Sequence, residues 1–443
     1  MELDLRTQAL AKAREAGVEF VHLQFIDIVG GIKSVTIPAA RFADCLTFGA
    51  WFDGSAIEGR ARVVEGDLYL HPDPATFAVL PWEPVPTGRV ICNLMDPDGL
   101  QFPTDPRYAL QAVLAEAEDL GLRYRVACEL EFFLFEDHGD ETANGRLDPI
   151  DHHSYFELPS GRAAQICQAT TSALTEAGLD VESMHHEVGP SQFEIDLAEV
   201  DALRAADSIV TLKWALRAFA RRQELLASFM PKPRADAPGS GLHFHQVLLD
   251  LRTGENVLFD PVGQHQLSSV ARHFVAGQLA HGRGMCALLA PLVNSYKRLS
   301  GGDEAPARII WARTNRSALI RVPEVNQRTV MRIELRAGDP SCNPYLALAA
   351  MLKAGLDGIR NEIPLPEPVE DSLFGGDGVQ DELADPLPSE LGAALEELDW
   401  DPVVRSAIGQ AIYERFLAAK EREWASFRSH ISTWELQSYL DSA

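Results

Sequence analysis

The stretch that decides the fold is CELEFFLF at residues 128–135, in which acidic and apolar side chains alternate. Successive side chains of a β-strand point to opposite faces, so Glu129 and Glu131 share one face. Leu130 and Phe132 point to the other face, as expected of a half-buried strand. Two carboxylates among apolar neighbours cost free energy unless a cation compensates their charge. Taken alone, the stretch is more simply explained as a solvated strand face that carries two surface glutamates.

Ionisable residues at period two recur in three further stretches, and this recurrence favours a built site. The stretches are HHEVGPSQFEID (185–196), GSGLHFH (239–245) and RIELR (332–336). In the first stretch, Glu187 is followed by Gln192, Glu194 and Asp196, which share a strand face. The residues that share a face are His243 and His245 in the second stretch, and Arg332, Glu334 and Arg336 in the third. Such a face is too charged for a core and too regular for a loop. It predicts a curved sheet that surrounds metal ions and anions.

The donor set indicates the metal. Five glutamates and one histidine form a hard, oxygen-rich environment, which favours Mg²⁺ or Mn²⁺ over zinc. Six ligands divided three and three would hold two ions. Paired divalent ions neutralise charge on nucleotide oxygens during in-line phosphoryl transfer. The sequence therefore predicts metal-dependent phosphoryl-transfer chemistry.

A cluster of arginines stands out in this acidic chain. The stretches NSYKRL (294–299) and NRSALIR (315–321) flank the segment GGDEAP (301–306). Guanidinium groups suit carboxylates and phosphates, although each arginine taken alone is also compatible with a structural salt bridge. The glycines of the segment predict a mobile loop whose Glu304 closes over a substrate, or alternatively a surface turn. The chain has neither GxxxxGK[ST] nor GxGxxG after a strand, so a nucleotide would bind without a P-loop or a Rossmann fold.

The overall composition excludes several classes of function. The 443 residues carry a net charge of −26, which argues against nucleic acid and anionic membrane surfaces as partners. Six cysteines without a CxxC pair predict a reduced, cytoplasmic environment. The N-terminus lacks the basic and apolar regions of a signal peptide, and the apolar run at 286–293 is too short to span a membrane.

The pattern of helices and strands divides the chain near Pro103. We predict an N-terminal domain over 1–103 with a helix at 4–16 and a meandering sheet, and a catalytic domain over 104–443. The first helix of the second domain is expected to be capped by Thr104 or Asp105, with Pro106 in its first turn. Predicted strands are 20–27, 34–37, 61–64, 76–79, 89–94, 124–135, 181–187, 191–197, 241–249, 318–322 and 330–336. Further predicted helices are 107–120, 161–178, 200–227, 267–289, 343–361, 389–397 and 402–423.

The ordered motifs of the chain resemble those of bacterial type I glutamine synthetases. The motifs are FDGS (52–55), HHE (185–187), FMPKP (229–233), GSGLHFH (239–245), NSYKRL (294–299), EAP (304–306) and NRSA (315–318). The resemblance covers about residues 15–443. It implies an α+β fold with a small N-terminal β-grasp-like domain and a large catalytic domain, whose curved antiparallel sheet is flanked by helices. It also implies an enzyme of nitrogen metabolism that ligates ammonia to glutamate through a γ-glutamyl phosphate, yielding glutamine, ADP and phosphate.

The resemblance also implies roles for individual residues. One Mg²⁺ or Mn²⁺ ion would be bound by Glu131, Glu187 and Glu194, and a second by Glu129, His243 and Glu334. ATP would contact Glu182 and His245, with Arg316 and Arg321 at the transferring phosphate. Glutamate would contact Gly239, Arg298, Glu304, Arg316 and Arg336. Ammonium would bind Asp53, Tyr155 and Glu187. The expected catalytic residues are Asp53, as the base, Glu304 and Arg316.

The resemblance implies an obligatory homo-oligomer as well. Asp53 would reach the active site from a neighbouring subunit, and the expected assembly is a dodecamer of two stacked hexameric rings. The apolar C-terminal helix around Trp434 and Tyr439 would form contacts between rings, or would belong to the local core instead.

Several positions depart from the family pattern. Ala56 replaces a serine near the ammonium site, Pro238 replaces an asparagine in the glutamate loop, and Val247 replaces a serine near the nucleotide. Phe374 replaces the tyrosine that is adenylylated in one subclass, so we expect no such control. Arg62 occupies a regulatory arginine position, which predicts inhibition by glutamine or AMP, or else is an ordinary surface residue.

Ala56 and Pro238 leave room for an alternative function, a γ-glutamyl ligase that uses a polyamine, ethanolamine or another amine. A non-catalytic binding homologue and a metallohydrolase are further alternatives.

Overall fold

The N-terminal part of the chain forms a mixed sheet of six strands. The computed structural model describes residues 2–54, 67–143, 145–300, 305–325, 330–370 and 385–442. The strands are β1 (Phe20–Ile26), β2 (Ile32–Pro38), β3 (Ala50–Asp53), β4 (Asp67–Pro72), β5 (Ala78–Val79) and β6 (Thr87–Met95). Their order is β2-β1-β6-β4-β3, with β5 on β6, and only the β1–β6 pair is parallel. Two helices, α1 (Glu2–Glu15) and α2 (Phe42–Phe48), accompany this sheet.

The rest of the chain builds a second, larger sheet of eight strands. They are β7 (Leu122–Glu136), β8 (Val181–His186), β9 (Gln192–Asp201), β10 (Leu225–Ser228), β11 (Leu242–Asp250), β12 (Arg308–Ala312), β13 (Ala318–Arg321) and β14 (Ile333–Leu335). Their order is β12-β13-β14-β11-β7-β9-β8, with β10 on β7. All pairs except β12–β13 are antiparallel. The predicted α+β class, with a curved and largely antiparallel second sheet, is confirmed.

Helices flank the second sheet. They are α3 (Pro106–Asp119), α4 (Asp140–Ala143), α5 (Gly161–Glu176), α6 (Ala202–Arg222), α7 (Ser269–Ala280), α8 (Gly282–Leu289), α9 (Ser295–Leu299), α10 (Pro344–Arg360), α11 (Leu391–Trp400), α12 (Pro402–Ile408), α13 (Gln410–Ser429) and α14 (Thr433–Tyr439). The mostly buried α10 packs against α7 and α3. A Cβ on Gly277 would lie 2.2 Å from the carbonyl oxygen of Ala354, so the close approach of α7 and α10 requires glycine there.

Local sequence signals explain where several helices begin. The side chain of Asp105 accepts a hydrogen bond from the backbone N–H of Arg107, and Pro106 occupies the first turn of α3, as predicted. Asn343 caps α10 in the same way, again followed by proline. Ser432 and Glu435 form a reciprocal capping box at α14.

Three predicted helices end differently in the structure. The helix predicted over 200–227 is wrong at its C-terminal end, because α6 stops at Arg222 and the apolar Leu225–Ser228 pairs with β7 as β10. The helix predicted over 402–423 is two helices, since Gly409 takes a φ of 76° between α12 and α13. The helix predicted over 267–289 is also two, α7 and α8, divided at His281.

The apolar face of β7 lies at the centre of the core. Leu130, Phe132 and Leu134 are completely buried, and α6 packs over β7 and β9. All six cysteines are buried free thiols. Among the described helices, none combines the length and apolar character needed to cross a bilayer. With its apolar side covered, β7 presents its alternate residues to the opposite face of the sheet.

Candidate active site

Strand register brings the predicted acidic residues together on that opposite face. Glu129 of β7 lies opposite His243 of β11 on one side and Asp196 of β9 on the other. Two residues along, Glu131 lies opposite Glu194. Opposite residues of an antiparallel pair have neighbouring side chains, so these carboxylates and the imidazole form one cluster.

The cluster continues over the neighbouring strands. On β11, His245 lies opposite Glu334 of β14, and Glu334 in turn lies opposite Arg321 of β13. On the other side of the sheet, Glu194 lies opposite His185 of β8. Six adjacent strands therefore contribute ionisable groups to a continuous surface.

Glu129 contacts two histidines of the neighbouring strand. Its Oε2 is 3.1 Å from Nδ1 of His243, and its Oε1 is 2.6 Å from Nε2 of His245. Burial opposes the ionisation of Glu129, but hydrogen bonds from the two histidines outweigh that effect and lower its pKa well below the ordinary value. Glu129 is thus held as an anion.

Glu334 is completely buried and is held between two arginines. Its Oε2 is 2.6 Å from Nη1 of Arg321, and its Oε1 contacts Nη1 of Arg336. Burial raises the pKa of Glu334, yet the charge of Arg336 and the histidines more than compensates and brings that pKa to about 2. The anion therefore joins the acidic cluster to the arginine cluster.

The pKa of Glu194 is shifted in the opposite direction to those of Glu129 and Glu334. Burial, followed by the like charges of Glu131 and Glu129, raises the pKa of Glu194 to about 12. The Nε2 atom of His185 is 3.1 Å from Oε1 of Glu194. Carboxylates crowded in this way repel one another, and a multivalent cation among them would restore their ionised forms.

Among the residues that the structure describes, three groups of side chains offer ligand atoms that lie within 4.8 Å of one another. They are Glu129, His245 and Glu334; Glu129, Glu194 and His243; and His185, Glu187 and Glu194. The donors are mainly carboxylate oxygens, which fit Mg²⁺ or Mn²⁺. The predicted six ligands lie in this region, and their division into two triads stays a prediction.

Sequence reasoning did not assign a site role to His185. Its Nδ1 is 3.7 Å from Oε1 of Glu187, so it faces the same cluster. The signal was present in the sequence, because His185 and Glu187 stand two residues apart at the end of a predicted strand.

A cavity of about 450 Å³ adjoins the acidic cluster. Glu131, Glu187, Gly239, Arg298 and Arg336 are among the residues that line it. A Cβ on Gly239 would lie 2.6 Å from the carbonyl oxygen of Pro231 and 2.8 Å from the Arg298 side chain, so the close packing of Arg298 in this wall requires glycine. The mixture of carboxylates and guanidinium groups suits a ligand with both charges, such as an amino acid.

Hydrogen bonds hold the walls of this cavity in place. The amide Nε2 of Gln192 donates to Oε2 of Glu131 at 3.1 Å and to the carbonyl oxygen of Gly239 at 3.0 Å. The buried guanidinium of Arg298 donates to the carbonyl oxygen of Arg336 at 3.0 Å. These bonds connect β7, β9 and the loop before β11, so the polar groups are preorganised.

Tyr155 lies at the edge of the cluster. Its ring packs on Phe156 at a centroid distance of 4.1 Å and on His185 at 5.9 Å. Burial and the charge of Glu187 raise the pKa of Tyr155, while a hydrogen bond from Arg316 opposes the shift. Arg316 also accepts a hydrogen bond through its carbonyl oxygen from Nε of Arg336. Tyr155 and Arg316, predicted for different substrates, are therefore in contact.

Two predicted site residues lie apart from these contacts. Asp53 is exposed on β3 of the N-terminal sheet and does not line the 450 Å³ cavity. Glu182 is exposed on β8. Pro238 lines the cavity and Val247 is buried on β11. The predictions for Ala56, Arg62, Glu304, Phe374 and the strand at 61–64 lie outside the described residues.

Comparisons with known proteins find relatives that match nearly the whole chain. Residues 17–97 match the family model "Glutamine synthetase, beta-Grasp domain", and residues 103–439 match "Glutamine synthetase, catalytic domain". The glutamine synthetase of Halobacterium salinarum is 42% identical over 96% of this chain and 94% of its own length. That of Staphylococcus aureus is 42% identical over 97% of this chain and 96% of its own. The solved structure "GmaS/ADP complex-Conformation 1" is 32% identical with a TM-score of 0.88, covering 98% of this chain and 99% of the other.

Proposed function

Because the chain belongs to the glutamine synthetase family, we propose that it ligates ammonia to the γ-carboxylate of L-glutamate with cleavage of ATP. The γ-carboxylate takes the phosphoryl group, and ammonia then displaces phosphate to give glutamine. The observation that supports this proposal best is the continuous surface that carries Glu129, Glu131 and Glu194 and, two strands from Glu129, the arginine-bound Glu334. Divalent ions held by these carboxylates, together with Arg321 and Arg336, would supply the positive charge needed to bring two anionic substrates together.

The residues of the acidic cluster divide into metal ligands and positioning groups. We assign Glu131, Glu187 and Glu194 to one divalent ion and Glu129, His243 and Glu334 to a second. When bound by these residues, Mg²⁺ or Mn²⁺ would neutralise charge on the nucleotide phosphate oxygens. The crowding that raises the pKa of Glu194 supports this assignment, because such carboxylates need a cationic partner to ionise together.

The arginines are assigned to the anionic groups of the substrates. Arg298 and Arg336 line the 450 Å³ cavity with Gly239, and together they are proposed to bind glutamate, with Glu304 covering it. Arg316 and Arg321 are proposed to stabilise charge on the transferring phosphoryl group. Glu182 and His245 are assigned to ATP. The contact of Arg321 with Glu334 supports the role proposed for Arg321, because it fixes the guanidinium beside a proposed metal ligand.

Ammonium is proposed to bind between Tyr155, Glu187 and Asp53, with the Asp53 carboxylate removing a proton before attack. We propose that Asp53 reaches the active site of a neighbouring subunit. Its exposure on the N-terminal sheet supports this, because an exposed side chain can enter a site on another subunit. We therefore propose a cytoplasmic dodecamer of two hexameric rings with active sites between subunits. The family matches over 17–97 and 103–439 support the proposed domain division near Pro103.

One observation favours a second acceptor class. The Phe156 ring is 62% exposed and contacts both Tyr155 and His185, which places an apolar surface beside the proposed ammonium site. Such a surface suits the carbon atoms of an alkyl amine such as a polyamine or ethanolamine. The second candidate is thus a γ-glutamyl ligase with the same metal and ATP chemistry.

A phosphate-release assay with ATP, glutamate and Mg²⁺ tests the two candidates. Ammonium, methylamine, ethanolamine and putrescine are compared as acceptors, and the amide products are identified by mass spectrometry. We expect the highest kcat/KM with ammonium. Turnover with an organic amine and none with ammonium would reject glutamine synthesis in favour of the second candidate.

A further inference from the structure

A second cavity of about 430 Å³ lies between the N-terminal sheet and the helices of the larger domain. It is bordered by α1, by the segment before β5, by β6, by α3 and by the first turns of α6. The cavity volume is within the range of about 300–1,000 Å³ typical of small-molecule sites. None of the residues assigned to the glutamine synthetase reaction lines it.

The three aspartates that line this cavity already have cationic partners. Asp207 accepts hydrogen bonds from Nε and Nη2 of Arg107 at 3.2 and 3.0 Å. Asp73 accepts from Nη2 of Arg107 at 2.8 Å. Asp201 is held by Nε and Nη2 of Arg123 at 2.7 and 2.6 Å. Asp201 thus has its own partner, whereas Asp73 and Asp207 share the single positive charge of Arg107. When Lys12, Arg89 and Arg204 are counted as well, five cationic side chains accompany three aspartates, so the group keeps a net positive charge.

Arg89 is the cation in this cavity whose bonding is incomplete. Its side chain is 3% exposed and its Nη2 donates to Oγ1 of Thr211 at 2.9 Å. Within the described residues, its Nε and Nη1 have no hydrogen-bond partner. A buried N–H group without a hydrogen-bond acceptor destabilises the folded state, and a ligand that accepts from Nε or Nη1 would remove that cost. Lys12 and Arg204 line the same cavity at its exposed side.

The N-terminus of α6 adds a second, independent attraction for negative charge. Asp201 is the N-cap residue of this 21-residue helix, but its side chain makes no capping hydrogen bond. Its carboxylate is turned instead to Arg123. Leu203 and Arg204 of the first turn line the cavity, so the positive end of the helix dipole faces it.

We infer that this cavity is a binding site for a small anion with phosphate or carboxylate oxygens, which Arg89 holds from within and Lys12, Arg204 and the first turn of α6 hold from outside. The site lies between β6 of the N-terminal sheet and α6 of the larger domain. A bound anion therefore adds bonds between the two parts of the chain and stabilises their packing. This inference does not depend on the acceptor that the enzyme uses.

Crystals of the full-length enzyme soaked in selenate provide the direct test, because selenium scatters anomalously and mimics phosphate. We expect an anomalous peak within hydrogen-bond distance of Nε or Nη1 of Arg89. In solution, binding of inorganic phosphate and of succinate is measured by calorimetry for the wild type and for the double variant Lys12→Ala/Arg204→Ala. Because both replaced residues are exposed, we expect this variant to fold and to keep its activity.

The two solution probes distinguish the source of the anionic group. We expect the double variant to bind at least one of the two probes about tenfold more weakly than the wild type does. Binding of either probe at the active site should have the same affinity in both proteins. Loss of phosphate binding alone assigns a phosphate ligand, and loss of succinate binding alone assigns a carboxylate. A selenate peak confined to the active site, or identical titrations of the variant and the wild type, would overturn the inference.

Discussion

Glu129 and His243 lie directly opposite each other on antiparallel strands, with the carboxylate Oε2 3.1 Å from the imidazole Nδ1. The same carboxylate also contacts His245, so one residue of the central strand connects two histidines of the next strand. Register alone produces this contact, because a shift of one residue would turn the histidines to the apolar face. The pair lies at the centre of the proposed metal chemistry.

The first prediction concerns Glu129→Gln. The substitution keeps the shape of the side chain but removes the charge shared by the two histidines. We expect Mn²⁺ affinity, measured by electron paramagnetic resonance without nucleotide, to fall by about 10–100-fold. The matched control is Glu118→Gln on the exposed side of α3, which should bind Mn²⁺ like the wild type. Equal Mn²⁺ affinity of both variants would remove Glu129 from the ligand set.

The second prediction tests whether sites are shared between subunits. Asp53→Asn and Glu129→Gln should each be inactive as pure oligomers. Co-expression should restore part of the activity, since some sites then combine an intact Asp53 from one subunit with an intact Glu129 from another. The control is co-expression of Glu129→Gln with Glu131→Gln, two residues of the same strand, which should restore nothing. Absence of recovery in the first mixture would place Asp53 in its own subunit's site or outside any site.

The third prediction concerns pH and stability at His281. Its Nδ1 is 2.8 Å from Oδ2 of Asp401 and its Nε2 is 3.2 Å from Oδ2 of Asp357. Burial lowers the pKa of His281, but the two carboxylates outweigh it and raise that pKa above the ordinary 6.5. Because the pKa is higher in the folded state, the interaction of protonated His281 with the two carboxylates stabilises the fold. That stabilisation is fully present below pH 6.5. It is lost as pH rises through the folded-state value.

The variant His281→Gln should therefore lower the Tm most at pH 6, and the difference from the wild type should shrink towards pH 9. Differential scanning calorimetry across this range measures the effect. His430→Gln, at an exposed position, should give no pH-dependent difference. A destabilisation by His281→Gln that grows with pH would show that the neutral imidazole is the stabilising form.

The fourth prediction concerns the C-terminal helix α14. Trp434, Leu436 and Tyr439 are 63, 48 and 52% exposed, so they do not form local core in the single chain. We expect Trp434→Asp/Tyr439→Asp to reduce the proposed dodecamer to single rings in light scattering. Trp400→Asp is the matched control, because Trp400 is a 71% exposed tryptophan on a different helix. Twelve subunits in the double variant would exclude α14 from the contact between rings.

The alternation of charge in the sequence was sufficient to predict which residues share a face. Glu129 and Glu131 share a face of β7, as His243 and His245 share a face of β11, because side chains alternate with a period of two along a strand. That Glu194 and Glu334 lie on the same face of the sheet follows from the register between strands. Helix caps were predicted for a similar local reason, and Asp105 is the cap of α3. Such features depend on a few neighbouring residues.

Contacts that depend on register between strands could not be predicted. His185 reaches Glu194 only because β8 pairs with β9 in one particular register. The strand β10 was missed because Leu225–Ser228 continues a helical pattern and becomes extended only through pairing with β7. The short strands β3 and β4 were missed too, since they are stabilised by pairing with each other and with β6.

The most direct test of the central claim follows oxygen atoms through the reaction. The enzyme is incubated with ATP, Mg²⁺, ammonium and glutamate labelled with ¹⁸O in its γ-carboxylate, and the products are analysed by mass spectrometry. The account predicts ammonium-dependent formation of glutamine, with one ¹⁸O atom transferred to each phosphate released, because the γ-carboxylate oxygen leaves with the phosphoryl group. Phosphate that carries no ¹⁸O, or the absence of glutamine, would contradict the account.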